Sequence, residues 1–528
     1  MKMKSVMSHN FSQSPQADVP RSSFDRSHGI KTTFDAGYLV PIFIDEVLPG
    51  DTHKLNATLF ARFATLLYPM MDNMFLDTQF FFVPTRLVWD SWQKFCGERT
   101  PNPDSSIDFT IPTVTSANTT DFNQSSIYDY FGIATKIANV EVNSLPLRAY
   151  NLIYNEWYRD ENLQNGVTVS TADANDDPAD FALLRRGKRY DYFTSCLPWP
   201  QKGTAVPLPL GTVAPVQGKD TAIWVHEGTN DLTLNTQSGT NFVSFGSDPG
   251  TSLGLKWGKD ADFTLTGLEA DLSAATAATI NDLRESFQIQ RFQEREARGG
   301  TRYTEILRSF FGVTSPDQRL QRPEYLGGGS SPLVVTPVAQ TSGTGQTGQN
   351  TPQANLSAYG TVTCMGNGFI KSFVEHGYII GLASVRADLN YQQGTHRLWN
   401  RSERFDFYWP VFSHLGEQPV IMKELYTLGT AADNNVFGYQ EAWADYRYKM
   451  SVCTGLFRSN ATGTLDAWHL AQELSSPSLN ATFIQENPPT TRVKATSGDP
   501  DFVLDGYINL ISVRPMPTYS VPGLIDHF

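Results

Sequence analysis

The sequence predicts a mainly β fold, an antiparallel β-sandwich with long inter-strand insertions and a few short helices. Three observations carry that prediction. Short β-branched and aromatic runs bounded by Gly, Pro or Asp recur along the chain, among them "YLVPIFIDEVLPGD", "DTQFFFVP", "GYIIGLASV" and "DFYWPVF". Glycine (40), proline (31), phenylalanine (33) and tyrosine (21) are plentiful while only 18% of residues are charged, which suits strands joined by irregular loops. Strands do not alternate regularly with helices, which disfavours a doubly wound parallel sheet. With 528 residues the chain exceeds the size at which one core stops growing, so several domains or one domain with large insertions is expected, and the composition favours the second.

Residues 1–36 read as an extended, Ser-rich arm. Within residues 1–31, Lys2, Lys4, Arg21, Arg26 and Lys31 stand against Asp18 and Asp25, a local reversal of the overall net charge of −13. The opening "MKMKSVMSHNFSQSP" has no apolar run behind its lysines, so no secretory signal is expected. In "FFFVPTRLVWDSWQKFCGE", Phe80 to Glu98, three phenylalanines run into Val83 and Pro84 and a tryptophan-rich segment follows. This predicts a strand covered on both sides and ended by Pro84, with Trp89, Trp92 and Phe95 pinning the next segment.

Two helices are expected. "RAYNLIYNEWYRD" places Tyr150, Ile153, Tyr154, Trp157 and Tyr158 on one stripe, and "TRYTEILRSFFG" repeats the pattern with Tyr303, Ile306, Leu307, Phe310 and Phe311 before Gly312. Both stripes read as core contacts. Between them, "RRGKRYDY" clusters Arg185, Arg186, Lys188 and Arg189 beside Tyr190 and Tyr192. That pattern reads either as phosphate contacts with rings for base stacking or as a solvated charged turn.

Arginine is absent from Tyr190 to Leu283, and residues 204–280 hold three lysines against eight acids. Short alternating pieces such as "DLTLNT" and "NFVSFG" lie there between turn signals. The expected organisation is a solvent-facing insertion over 204–280, with 37–203 and 281–528 forming the sandwich and its loops.

No catalytic, cofactor or metal site is assigned, and no enzyme is expected. Gly343, Gly345 and Gly348 match G-x-G-x-x-G, but Pro337 and Pro352 deny it the strand and helix that a pyrophosphate site needs. Cys96, Cys196, Cys364 and Cys453 are dispersed, the nine histidines form no H-E-x-x-H, and no G-x-S-x-G occurs. The longest charge-free stretch, Tyr325 to Ile370, is full of Gly, Ser, Thr and Gln and is no membrane span. The acidic balance argues against a surface that grips nucleic acid throughout.

Eight segments in one order, "FFFVPTRLVWDSWQKFCGE", "AYNLIYNEWYRDENL", "RRGKRYDYFTSCLPWPQKG", "LQRPEYLGGG", "EHGYIIGLASVRADLNYQQG", "FGYQEAWADYRYKMSVCTGLFRS", "LDAWHLAQEL" and "VRPMPTYSVPGLIDHF", resemble the major capsid protein family of gokushoviruses. These are small tailless icosahedral bacteriophages of the Microviridae with circular single-stranded DNA. The resemblance implies an eight-stranded viral jelly roll, a virion location after assembly in the host cytoplasm, and a T=1 shell built from copies of this chain. It implies an insertion protruding at the threefold axes, for which 204–280 is the candidate, with Trp224 and Trp257 facing a host surface receptor. It also implies an internal scaffolding protein, a DNA pilot protein, a small basic DNA-binding protein and the single-stranded DNA genome as partners, with no membrane insertion. Lys2, Lys4, Arg185, Arg186, Lys188 and Arg189 are the candidate DNA contacts. Two other classes stay open from the residues alone: a carbohydrate-binding β-sandwich protein stacking sugars on Trp224 and Trp257, and a secreted glycosidase.

Overall fold

The computed structural model describes residues 20–97, 109–206, 216–218, 222–227, 230–235, 257–258, 268–270, 280–299, 303–312, 321–346, 349–351, 353–496 and 498–519. Eight strands build the framework: β1 His28–Phe34, β2 Val40–Val47, β3 Thr52–Phe63, β4 Met74–Pro84, β5 Glu324–Pro332, β6 Leu356–Ser372, β7 Gly377–Ala387 and β8 Phe502–Arg514. They pair antiparallel in two sheets, β1-β8-β3-β6 and β2-β7-β4-β5. This interleaving of early and late strands in two four-stranded sheets is the jelly roll. Ser22–Asp25 continues along β8 beyond β1, and Val334–Ala339 extends the first sheet beside β6.

The segment expected to be an arm therefore contains a framework strand. From Ser22 onward it is paired to β8, Phe34 stacks on Phe502 at 5.4 Å, and Lys31 is bonded to Asp505 at 2.8 Å. Its Ser and Thr content hid an alternation in which Ile30 and Phe34 face inward. Lys2 and Lys4 lie outside the described residues.

The two sheets differ in how they are covered. In β3 and β8 every second residue is buried, and Leu55, Leu59, Phe63, Phe502, Leu504 and Ile508 enter the core between the sheets. In β4 and β7 nearly every residue is buried, because a second apolar cluster covers their outer face. Phe80 and Phe82 point into the inter-sheet core while Phe81 joins the outer cluster, so the three phenylalanines fill both sides and the strand ends at Pro84 as expected. The outer cluster is capped by helix α1, Leu145–Ile153, which continues through a wider π-type turn at Tyr154–Tyr158. Tyr150, fully buried on α1, donates its hydroxyl to the Leu39 carbonyl at 2.9 Å and accepts the Leu184 N–H at 3.1 Å. Trp89 is fully buried and its indole N–H donates to Asp173 at 2.7 Å, whereas Phe95 remains partly exposed.

Arg148 on α1 anchors the loop that follows. Its buried guanidinium bonds both oxygens of Asp176, at 2.7 and 3.0 Å, and the carbonyls of Val88, Ala172 and Ala174 at 3.0–3.2 Å. At "LGGG" in β5 the backbone passes so close to its neighbours that side chains are excluded. A Cβ on Gly328 would meet the Thr78 carbonyl oxygen at 2.0 Å, and one on Gly327 that of Gly368 at 2.4 Å.

The chain divides into two compact units, residues 1–200 with 312–528, and residues 201–311. The second unit begins near the expected insertion but runs past residue 280. It includes helix α2, Ile280–Arg298, and helix α3, Tyr303–Phe311. The 19-residue α2 is longer than any helix the sequence suggested, because its polar majority masks the periodicity. On α3 Phe311 is 74% exposed, so the expected core stripe is only partly covered. A small ribbon in this unit pairs Ala222–Glu227 with Asn230–Asn235 and with Trp257–Gly258, in line with a strand at "DLTLNT"; "NFVSFG" lies outside the described residues. Around the G-x-G-x-x-G match, Thr344–Gln346 pairs with Gln349–Thr351 as a hairpin, not a strand leading into a helix.

Candidate assembly surface

The connection between β7 and β8, residues 388–501, is where the structure departs most from the sequence reading. "DFYWPVF" is not a strand. It forms 3₁₀ turns at Arg404–Asp406 and Pro410–Phe412, and its large side chains stand in solvent. Trp399 is 75% exposed and Val411 87%, with Phe405, Phe407, Tyr408 and Trp409 also exposed. Ring contacts make the patch continuous: Phe405 touches Phe412, Phe412 stacks on Trp443, and Trp443 meets Tyr408 and Tyr446. Apolar exposure on this scale marks a surface that another molecule covers. A run rich in Phe, Tyr and Trp reads from sequence as a strand, whereas in the single chain nothing described covers its rings.

The patch is fixed from beneath. Arg401, paired with the buried Asp445, lies over the rings of Tyr446 at 4.3 Å and Phe407 at 5.7 Å. Within the same connection, Val420, Leu425, Phe437 and Phe483 join Tyr192 and Phe193 in a third apolar cluster. Among the patch rings, Trp443 is buried and contacts Tyr408, Phe412 and Tyr446, an anchoring that suits a contact surface.

The "RRGKR" segment is threaded between other parts of the chain. Arg186 N–H bonds the Gly37 carbonyl, Lys188 N–H that of Ile484, and Glu486 N–H that of Arg186, each at 2.8 Å. Arg186 and Arg386 each donate to the same Asp77 oxygen at 2.7 Å, and Arg186 also reaches Ser384 at 2.7 Å. Burial raises the Asp77 carboxyl, but the Ser330 hydroxyl and the two guanidiniums outweigh it and hold it below its ordinary value. Lys188 is buried, donates to Gln472 at 2.7 Å and lies 4.5 Å from the Phe483 ring centroid. Burial pulls its ammonium down to about 8, against the pull of Glu486, and pushes the Glu486 carboxyl up to about 6. Arg185 covers the Tyr38 ring at 4.0 Å, and Arg189 covers Phe75 at 4.3 Å and pairs with Asp388 at 3.0 Å. All four cations thus have partners within the chain, with Arg185 and Arg189 half-buried at the rim. Tyr192 is buried and Tyr190 exposed.

Asp77 and Glu486, which organise this network, were not singled out from sequence. The signal for Asp77 was an acid inside "FLDTQFFFV", an otherwise covered strand. Trp224 pairs with Thr233 and Gly258, and Trp257 with Val225, so the two tryptophans sit one register step apart on neighbouring strands. Among the described residues no group of three His, Cys, Asp or Glu side chains is arranged to hold a metal ion, and no described helix is long and apolar enough to cross a membrane.

The family described as capsid protein (F protein) matches residues 12–524. Capsid protein VP1 of Bdellovibrio phage phiMH2K is 48% identical over 98% of this chain and 98% of its own length. Capsid protein VP1 of Chlamydia phage 1 is 46% identical over 99% of both, and that of Spiroplasma virus 4 is 36% identical over 98% of this chain and 97% of its own. Jelly-roll framework, uncovered aromatic surface and end-to-end similarity agree: the chain belongs to the capsid protein (F protein) family.

Proposed function

We propose that this chain is the major capsid protein of a small icosahedral bacteriophage and closes with copies of itself into a T=1 shell around a single-stranded DNA genome. The observation that carries the reading is a complete jelly roll whose β7–β8 connection leaves a continuous aromatic surface exposed among the described residues. Repeated by symmetry, modest contacts of this kind hold a closed shell together. The insertion near 204–280, with Trp224 and Trp257, meets a host surface receptor at the threefold axes. An internal scaffolding protein, a DNA pilot protein and a small basic DNA-binding protein accompany assembly in the host cytoplasm. A chain of net charge −13 needs outside cations for packed DNA, and Lys2, Lys4 and the rims of Arg185 and Arg189 add to those partners.

Negative-stain electron microscopy of the purified chain, alone and with its scaffolding protein, tests this. Uniform closed shells with knobs at the threefold axes are expected; persistent monomers in both samples would overturn the reading.

A further inference from the structure

Among the described residues nothing covers the outer face of the β1-β8-β3-β6 sheet, and its composition is unusual for an acidic chain. Strict alternation turns Lys54, Asn56, Thr58, Phe60 and Arg62 of β3 outward, and Val503, Asp505, Tyr507, Asn509 and Ile511 of β8 beside them. Register sets these in rows: Thr58 opposite Tyr507, Asn56 opposite Asn509, Arg62 opposite Val503. Phe60, 47% exposed, stands opposite Asp505, so it is the diagonal neighbour of Tyr507, 55% exposed. Diagonal pairs lie about 7–8 Å apart, within reach of aromatic side chains. On the other flank of Tyr507, β1 presents Gly29, which leaves the edge of the ring open.

Charge on this face runs against the rest of the chain. Lys31, Lys54 and Arg62 face outward with Asp25 and Asp505, a net of +1 on a protein of −13. Lys31 is bonded to Asp505 at 2.8 Å and Asp25 accepts from Ser27, so Lys54 and Arg62 are the cations with no carboxylate partner described. A lone exposed ring needs no explanation. Two rings on adjacent central strands, between two cations with no described carboxylate partner and beside an Asn–Asn row, form an arrangement with a specific chemistry. Rings stack bases, cations meet phosphates, and amides and hydroxyls reach base edges. Aromatic rings alone would also suit a protein interface; here Asn56, Asn509 and Thr58 stand beside them with Lys54 and Arg62 on either flank.

We propose that this sheet face binds single-stranded DNA, with Phe60 and Tyr507 as stacking platforms for bases and Lys54 and Arg62 as phosphate contacts. It rests on the reading that the shell encloses a single-stranded DNA genome, and gives the acidic chain a DNA contact of its own, separate from the basic partner and the "RRGKR" cluster.

Ultraviolet cross-linking of genome-filled particles, followed by trypsin and tandem mass spectrometry, tests it. Nucleotide adducts are expected at Phe60 in the peptide 55–62 and at Tyr507 in the peptide 495–528. A shell that holds no single-stranded DNA overturns both the enclosed-genome reading and this inference. A filled shell whose adducts avoid both peptides overturns this inference alone, as does equal protection of Tyr507 from hydroxyl radicals in filled and DNA-free shells, which would mean that protein covers the face. Titration of the soluble subunit with labelled oligo(dT) gives a second readout. Phe60→Leu and Tyr507→Leu should each weaken binding about tenfold while Phe60→Tyr retains it. Lys54→Ala with Arg62→Ala should flatten the slope of log K against log salt by about 1.4. Unchanged affinity and slope in these variants would overturn the proposal.

Discussion

Glu486 accepts the backbone N–H of Ala387 at 3.3 Å through one carboxyl oxygen, while its other oxygen is buried with no hydrogen-bond partner among the described residues. Burial is the main reason its carboxyl is pushed from 4.5 up to about 6. The folded chain therefore holds this proton more tightly than the unfolded chain does. The resulting stabilisation is fully present below about pH 4.5 and lost as pH rises through about 6, a difference of about 2 kcal/mol. Relative to the parent, Glu486→Gln should gain stability by that amount between pH 4.5 and 7. Lys188→Met in both backgrounds removes the cation that would otherwise lose its partner. Subunit melting followed against pH checks this, and a flat difference would show that Glu486 does not titrate in that window.

Arg148 and Asp176 form a buried ion pair, with no exposed guanidinium surface. Arg148→Met strands a carboxylate and frees three carbonyls, and should cost about 3–5 kcal/mol. Adding Asp176→Leu should recover part of the loss, because the uncompensated charge goes with it. Urea unfolding of parent, single and double variants decides; a double variant weaker than the single would refute the pairing argument.

Phe81 packs against Trp157, Tyr158 and Tyr325 on the covered face of β4. Phe81→Ala should destabilise the subunit by about 3–5 kcal/mol, and Phe81→Leu by distinctly less. Soluble Phe81→Ala subunits that melt and assemble like the parent would contradict this role.

Val411→Asp places a charge at the most exposed apolar position of the aromatic surface. Subunit melting should stay within about 0.5 kcal/mol of the parent, since no described residue of the same chain covers that side chain, which is 87% exposed. The yield of closed shells should fall about tenfold or more, as when a contact hot spot is lost. Normal shells from this variant, counted by electron microscopy or sedimentation, would remove the patch from the assembly surface.

The framework was legible where one chain supplies both the strand and its cover. Phe80 to Pro84 and Gly377 to Ala387 bury nearly every residue against parts of the same molecule, so hydrophobicity and β-propensity pointed to strands. "DFYWPVF" carries the same signal with its rings exposed, because hydrophobicity reports that a side chain will be covered and not by which molecule. His28–Phe34 erred in the opposite sense: its polar residues belong to an open sheet face and concealed a framework strand. The "RRGKR" cations were visible as charge. Their partners, Asp77, Asp388, Gln472 and the rings beneath them, are dispersed along the chain and meet only once the sandwich closes.

The position of β8 reaches beyond static packing. It lies between β1 and β3, so the sheet to which both belong lacks a central member until residues 502–514 arrive. During synthesis β1 and β3 must wait for a partner more than four hundred residues away, and pairing over such a separation is slow. A nascent or prematurely terminated chain presents two unjoined edges in place of a finished wall. The fold thus acts as a completeness check, in which only a chain translated through its last framework strand becomes a building block.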